Sequence, residues 1–140
     1  QALAKFDITM DYLDLFEVGS VARAEVAEQP EGTHADELET SMMLYLAPEI
    51  VRLDKAVKDI HPRKGPGPMT RNPDADTGQY SPTGVYGDAT LANVQKGEKY
   101  VEAIVTETVE FIEKFASDSW EPTPVRENYM KARRQPPKNA

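Results

Sequence analysis

The sequence predicts an α/β protein, because one β-rich segment and two long helical segments make up its regular parts. The β-rich segment spans residues 6–16, and the helical segments span residues 35–46 and 88–116. A sheet with a single strand would leave its edges unpaired, so these elements do not close an α/β sandwich by themselves. We therefore expect the 140 residues to supply part of a larger domain.

The first element, residues 6–16, reads FDITMDYLDLF and is rich in residues that favour strands. Its apolar side chains occupy even-numbered positions in the first half and odd-numbered positions in the second half: Ile8, Met10 and Tyr12, then Leu13 and Leu15. Successive side chains of a strand point to opposite faces of the sheet. The pattern therefore predicts one strand that changes its buried face near the middle.

The second element is a helix over residues 35–46. Its apolar residues recur at steps of three and four, which indicates burial on one side: Ala35, Leu38, Met42, Tyr45 and Leu46. Pro48 is expected to end the helix, since proline cannot continue the backbone hydrogen bonding. Thr33-x-x-Asp36 is close to a capping box, and acids in the first turn, Asp36 and Glu37, complement the helix dipole.

The third element, residues 88–116, has the clearest helical pattern. One stripe of its surface is apolar and glutamates lie outside that stripe: Val101, Ile104, Val105, Thr108, Phe111, Ile112 and Phe115 form the stripe. Asp88 stands where an N-cap is expected, and such a cap contributes about 1 kcal/mol. Gly97 costs about 1 kcal/mol relative to alanine in a helix, so we expect another backbone to approach closely there.

Two further segments differ in composition from the rest. Residues 62–87 contain five of the 11 prolines and five of the eight glycines, which predicts a lid or an inter-subunit loop.

Residues 121–140 carry five basic and two acidic side chains, a formal charge of +3 that leaves −11 on residues 1–120. We expect a body over residues 1–119 and a basic tail over residues 120–140. The tail is either an arm that docks on an acidic partner or a solvated extension.

Composition excludes several classes of function. The chain has no cysteine, which removes disulfides, thiolate catalysis and cysteine-based metal sites and fits a cytoplasmic location. A formal charge of −8 argues against a nucleic-acid partner, which needs a basic surface. The mean hydropathy is −0.59, and no stretch approaches the ~18 apolar residues of a membrane-spanning helix.

Two histidines are candidates for chemistry. His61 lies beside Pro62 at the start of the proline- and glycine-rich loop, and we expect it to be an ordinary surface histidine. His34 precedes the second element, and Glu39 follows it by five residues. If His34 folds back over the first helical turn, the carboxylate can tune the imidazole as a general acid/base. The competing interpretation is that this segment serves only as a helix cap. A third is a mononuclear metal site built from His34 and the acids that follow it, although their spacing matches no standard zinc helix.

Two motifs resemble the creatininase (creatinine amidohydrolase) family. Residues 34–49, HADELETSMMLYLAPE, resemble its His-Ala/Gly-Gly-x-x-Glu-Thr-Ser segment followed by an apolar helix that ends in proline. Residues 84–92, GVYGDATLA, and then Lys96-Gly97, resemble its Gly-Val-x-Gly-Asp-Pro-Thr-x-Ala…Lys-Gly segment. The resemblance covers roughly residues 5–116, which correspond to the C-terminal half of the family domain.

The resemblance implies a three-layer α/β sandwich around a mainly parallel sheet, of which this chain supplies about half. It also implies a hexamer-type assembly and two divalent metals (zinc, manganese or iron) that activate water to cleave a non-peptide or cyclic amide. His34 matches the family's catalytic histidine, and Glu39 matches an active-site glutamate that can contact a metal. Thr40 and Ser41 would support them.

Several family features are missing from this sequence. The principal metal ligands belong to the family's N-terminal half, in a Glu-x-His…Asp set and a Gly-His-Gly-Gly-Asn-like loop. We therefore expect a partner chain that carries those ligands, in a hetero-oligomer. Creatinine-cleaving members carry tryptophans near the positions of Leu13 and Pro30, whereas the one tryptophan here is Trp120, so creatinine is not the expected substrate. The alternative function is a non-catalytic scaffold subunit of a heteromeric complex.

Overall fold

The structure, a computed structural model, describes residues 10–117. Three α-helices are present in this part: α1 (Ser20–Val26), α2 (Glu37–Leu46) and α3 (Val94–Phe115). Three short 3-10 turns accompany them, at Pro48–Ile50, Leu53–Lys55 and Ala89–Leu91. Four two-residue strands complete the elements: β1 (Lys58–Asp59), β2 (Met69–Thr70), β3 (Gln79–Tyr80) and β4 (Gly87–Asp88).

The centre of the structure is the packing of α2 against α3. A Cβ atom at Gly97 would overlap the backbone carbonyl of Ser41, so the expected close approach at this glycine is confirmed. The fully buried Ser41 hydroxyl donates to the Glu37 carbonyl at 2.6 Å and accepts from the backbone N–H of Asn93 at 3.1 Å. Leu38 and Val101 add buried apolar contacts, so the N-terminal halves of the two helices are held together.

The helix over residues 35–46 is confirmed with small changes at its start. It begins at Glu37, ends at Leu46, and is followed by a 3-10 turn that opens with Pro48. The expected end at this proline is therefore confirmed.

The third helix begins later than predicted. Asn93, not Asp88, is its N-cap, and the Asn93 side chain accepts from the backbone N–H of Lys96 at 3.0 Å. Asp88 instead caps the 3-10 turn that precedes the helix, accepting from the N–H of Thr90 at 3.1 Å. Ala92 is extended, with φ −68° and ψ 140°, and separates the two elements. The apolar periodicity does not reveal such a break.

The strand predicted over residues 6–16 is wrong for the part that the structure describes. Residues 10–14 have no regular structure, and residues 15–19 form turns that lead into α1. The Asp14 carbonyl accepts from the N–H groups of Glu17 and Val18, at 2.9 and 3.2 Å, which fixes a turn where a strand would extend. All the apolar side chains of residues 10–16 except the half-buried Leu13 are exposed, Phe16 at 84 %, so no buried face selects a strand. Residues 6–9 lie outside the described residues.

The strands form two small ladders. β1 is antiparallel to β4, with Lys58 opposite Asp88, and β2 is parallel to β3, with Met69 opposite Gln79. The second ladder and a bridge between Lys64 and Gly78 order the proline- and glycine-rich loop. Helices with small sheets are consistent with the predicted α/β class.

No helix among residues 10–117 is long and apolar enough to cross a membrane. The predicted basic tail, residues 120–140, lies outside the described residues.

Candidate active site

The start of α2 is set by Asp36. Its carboxylate Oδ1 accepts from the backbone N–H groups of Leu38 and Glu39, both at 3.0 Å, as an N-cap does. Thr33, the other half of the proposed capping box, has a different role, because its hydroxyl donates to Oε1 of Gln79 at 3.2 Å. Asp36, and not Thr33, therefore supplies the N-cap side chain of α2.

His34 and Glu39 meet over this capped end. Nδ1 of His34 lies 3.3 Å from Oε2 of Glu39, and the two side chains are 55 % and 53 % exposed. Ala35 has a left-handed φ of 47°, which turns the chain between the histidine and the helix. Its N–H donates to the same Glu39 oxygen at 2.5 Å. The carboxylate thus serves both the helix start and the imidazole.

Backbone pairing fixes the position of His34. Its carbonyl accepts from the N–H of Tyr86 at 2.8 Å, and the Tyr86 carbonyl accepts from the N–H of Thr33 at 2.9 Å. The rings of His34 and Tyr86 have centroids 6.2 Å apart. Because Nδ1 lies next to the Glu39 carboxylate, Nε2 is the imidazole atom left to exchange a proton with a ligand.

Gln29 joins the two sequence motifs. Its side chain donates from Nε2 to Asp36 Oδ2 at 2.8 Å, and its Oε1 accepts from the backbone N–H of Asp88 at 3.0 Å. A Cβ atom at Gly87 would stand 2.6 Å from Cβ of Asp36, so only glycine lets the second motif approach this closely. No pattern in the sequence pointed to Gln29 as part of the site.

An ion cluster built on the buried Lys96 and Glu37 also connects the motifs. Nζ of Lys96 lies 2.5 Å from Oε1 of Glu28 and 2.5 Å from Oε1 of the fully buried Glu37, and it donates to the Leu91 carbonyl at 2.9 Å. The Glu37 carboxylate also accepts from the N–H of Gln29 at 2.7 Å. Burial alone would lower the pKa of Lys96, but hydrogen bonds to Glu28 and Glu37 outweigh it and raise that pKa.

His61 has a partner that sequence reasoning missed. Its Nε2 lies 2.9 Å from Oδ1 of the buried Asp59, and its ring packs edge-on against Tyr80 at 5.1 Å. The imidazole is partly exposed, so it is not simply the free surface histidine we expected. The available signal was Asp59-x-His61, whose side chains share one face of an extended segment.

The carboxylate of Asp59 is saturated by donors. Its Oδ2 accepts from the Ser81 hydroxyl at 2.7 Å and from the Thr83 hydroxyl and N–H. Burial tends to raise the pKa of Asp59, but these hydrogen bonds and the nearby His61 lower it overall. Ser81 donates to the aspartate and not to the histidine, so the cluster lacks the order of a serine-nucleophile relay.

The described residues do not complete a metal centre. Across residues 10–117, no three His, Asp or Glu side chains converge as ligands. His34 and Glu39 together offer one imidazole and one carboxylate, whereas a catalytic zinc site uses three protein ligands. A two-metal centre therefore does not fit this part of the chain alone.

Comparison with known proteins identifies a family for this chain. The profile of the family described as creatininase (creatinine amidohydrolase) matches residues 3–112. The chain therefore belongs to the creatininase family. Comparison with curated protein sequences finds no match.

Solved structures of creatininase are similar to this chain. A creatininase designated Mn is 26 % identical with a TM-score of 0.57, and the match covers 83 % of this chain and 48 % of that one. A glutamate-to-glutamine variant of Zn-Zn type is 26 % identical with a TM-score of 0.58, covering 83 % of this chain and 49 % of that one. A variant complexed with creatine is 26 % identical with a TM-score of 0.56, at 83 % and 48 % coverage. This chain thus spans about half the length of these structures.

Proposed function

We propose that this chain supplies one half of the active site of a creatininase-type, metal-dependent amidohydrolase that cleaves a non-peptide or cyclic amide C–N bond. The observation that carries the proposal is the pair formed by Nδ1 of His34 and Oε2 of Glu39, 3.3 Å apart. Family membership over residues 3–112 supports the reaction class.

The proposed role of His34 follows from what amide hydrolysis requires. The oxygen of water bonds to the carbonyl carbon as the water gives up a proton, the C–N bond breaks, and the departing nitrogen must receive a proton. His34, half exposed and with Nδ1 3.3 Å from Glu39, donates that proton from Nε2. The Glu39 carboxylate orients the ring and stabilises the imidazolium that precedes the transfer.

The metals of the proposed enzyme belong with residues outside the described range. Residues 10–117 bring together no set of three ligands, so a partner chain that corresponds to the N-terminal half would hold the two divalent ions. When bound, these ions would lower the pKa of a water molecule. Glu39 is the residue of this chain that we propose lies nearest to them.

A second candidate function is a non-catalytic scaffold subunit. The observation that favours it is that Glu39 already accepts from the N–H of Ala35 at 2.5 Å, a role that helix capping alone explains. In this alternative the His34 segment is retained for packing, and the basic tail holds a complex together.

Metal analysis of the purified assembly, with and without the partner chain, separates the two functions. The enzyme requires about two metal equivalents per complete site, lost when the partner is removed. A complex that assembles without metal and does not hydrolyse amides supports the scaffold. A His34→Ala variant can be measured in the same assembly. Its matched control is His61→Ala, which removes a histidine that contacts Asp59 rather than Glu39.

A further inference from the structure

A cavity of about 510 Å³ lies between α1, the segment before α2 and the loop that follows β1. Its size falls within the ~300–1,000 Å³ of small-molecule sites. Apolar side chains, including Leu38 and Ile60, line it together with polar groups. The cavity thus has the mixed surface that a small polar ligand needs.

The charged lining of this cavity is mainly cationic. Arg23 reaches it from α1 and Arg63 from the loop after β1, whereas Glu31 is its one carboxylate among the described residues. This sign is opposite to that of the whole chain, whose formal charge is −8.

Neither arginine forms an ion pair with a carboxylate of the described residues 10–117. Within residues 10–117, ion pairs with carboxylates are formed by Arg52, Lys58, Lys96 and Lys99 but not by Arg23 or Arg63. Arg63 donates from Nη2 to the Gly67 carbonyl at 2.6 Å, which leaves further guanidinium donors unused. The cavity therefore offers two guanidinium groups to an anion.

Three uncharged polar side chains of the cavity, those of Gln29, Thr33 and Gln79, are already engaged in hydrogen bonds within the protein. Gln79 accepts from the Thr33 hydroxyl at 3.2 Å and donates to the His61 carbonyl at 3.3 Å. Gln29 bridges Asp36 and Asp88. These hydrogen bonds hold the glutamine and threonine side chains in place. The side chains of Arg23 and Arg63 are therefore the charged groups that can turn toward a ligand.

The cavity adjoins the His34–Glu39 pair. Thr33, which lines it, is the residue before His34, and the ring of Tyr86, which also lines it, lies 6.2 Å from the His34 ring. A small molecule anchored in the cavity would extend along this shared wall toward the imidazole.

We propose that Arg23 and Arg63 form an anion site that binds the carboxylate of a small acidic amide. Guanidinium groups bind carboxylates through paired, charge-assisted hydrogen bonds. The amide part of this assignment rests on the proposed function. The carboxylate part stands on the cavity and its two unpaired cations.

A titration of the full 140-residue chain, followed by nuclear magnetic resonance, tests the site. The probes are N-acetylglycine, an acidic amide, and N-acetylglycinamide, its neutral counterpart. We expect N-acetylglycine to bind at least tenfold more tightly and to shift the backbone signals of Gly32 and Gly87. Arg23→Gln and Arg63→Gln should each weaken its binding about tenfold, the loss of one charge-assisted hydrogen bond.

Two matched variants give the experiment its controls. Arg52→Gln removes an exposed arginine that pairs with Asp54 outside the cavity, and it should leave binding unchanged. His34→Gln should also retain binding, which separates a failure of the proposed catalysis from a failure of the anion site. Equal binding of the two probes, no binding of either, or identical affinities in Arg23→Gln, Arg63→Gln and the parent would overturn the proposal.

Discussion

Nζ of Lys96 lies 2.5 Å from Oε1 of Glu37, and this buried ion pair joins the two family motifs across the interface of α2 and α3. Glu37 is fully buried and also holds the backbone of Glu28 and Gln29. The contact fixes the start of α2, where His34 and Glu39 meet. Lys96 is thus a structural support of the candidate site.

Replacing Lys96 with methionine should destabilise the chain by about 3–5 kcal/mol, because Glu37 would remain as an uncompensated buried charge. Lys99→Met is the matched control: its pair with Glu25 is half exposed, so the loss should stay within about 1 kcal/mol. Urea denaturation of the two variants measures the difference. Equal losses of unfolding free energy in the two variants would show that the buried Lys96–Glu37 pair stabilises the chain no more than an exposed ion pair does.

Gly97→Ala should destabilise the structure even though alanine favours helices by about 1 kcal/mol over glycine. The added methyl group would overlap the Ser41 carbonyl, so α2 and α3 must move apart. We expect a net loss of about 1–3 kcal/mol, as overpacking produces. Glu98→Ala, at an exposed neighbouring position, is the control. A stabilised Gly97→Ala variant would contradict the observed helix contact.

The lowered pKa of Asp59 predicts a pH dependence of stability. Because its pKa in the folded chain lies below the ordinary value of 3.8, the ionised form favours folding. This contribution is complete above the unfolded pKa and is lost as the pH falls through the folded pKa. The unfolding free energy of the parent, measured from pH 6 to pH 2, should fall more steeply than that of Asp59→Asn. Parallel curves would rule out this source of stability.

How far the sequence predicts this fold depends on what each residue contacts. The helix end at Pro48 and the close approach at Gly97 follow from local chemistry, and both are confirmed. The start of α3 was misplaced because Asp88 and Asn93 are both cap residues, and periodicity alone cannot choose between them. The described part of the predicted strand is absent because alternation indicates a strand only where one face is buried.

In the candidate site, too, some contacts follow from local sequence and others depend on tertiary structure. The spacing brings His34 and Glu39 together only if the histidine folds back over the first helical turn, and in the structure their Nδ1 and Oε2 atoms lie 3.3 Å apart. Gln29 and Asp59 act through partners more than 20 residues away, such as Asp88 and Ser81, which no local pattern reveals. The number of metal ligands in reach likewise depends on tertiary placement.

The proposed docking role of the basic tail gives a salt-dependent prediction. Truncation after Asp118 should weaken association with the partner chain, and the difference from the full chain should shrink as ionic strength rises. Sedimentation at two salt concentrations measures this. A truncated chain that associates normally would indicate that the tail is a solvated extension.

The most direct test of the central claim is the turnover of His34→Ala in the purified assembly with its partner chain. We predict that amide hydrolysis falls by about 10²–10⁴-fold, the contribution of a general acid, while metal content stays unchanged. His61→Ala should retain turnover. Unchanged hydrolysis by His34→Ala, accompanied by nothing more than a small loss of stability, would contradict the assignment of His34 as the acid/base.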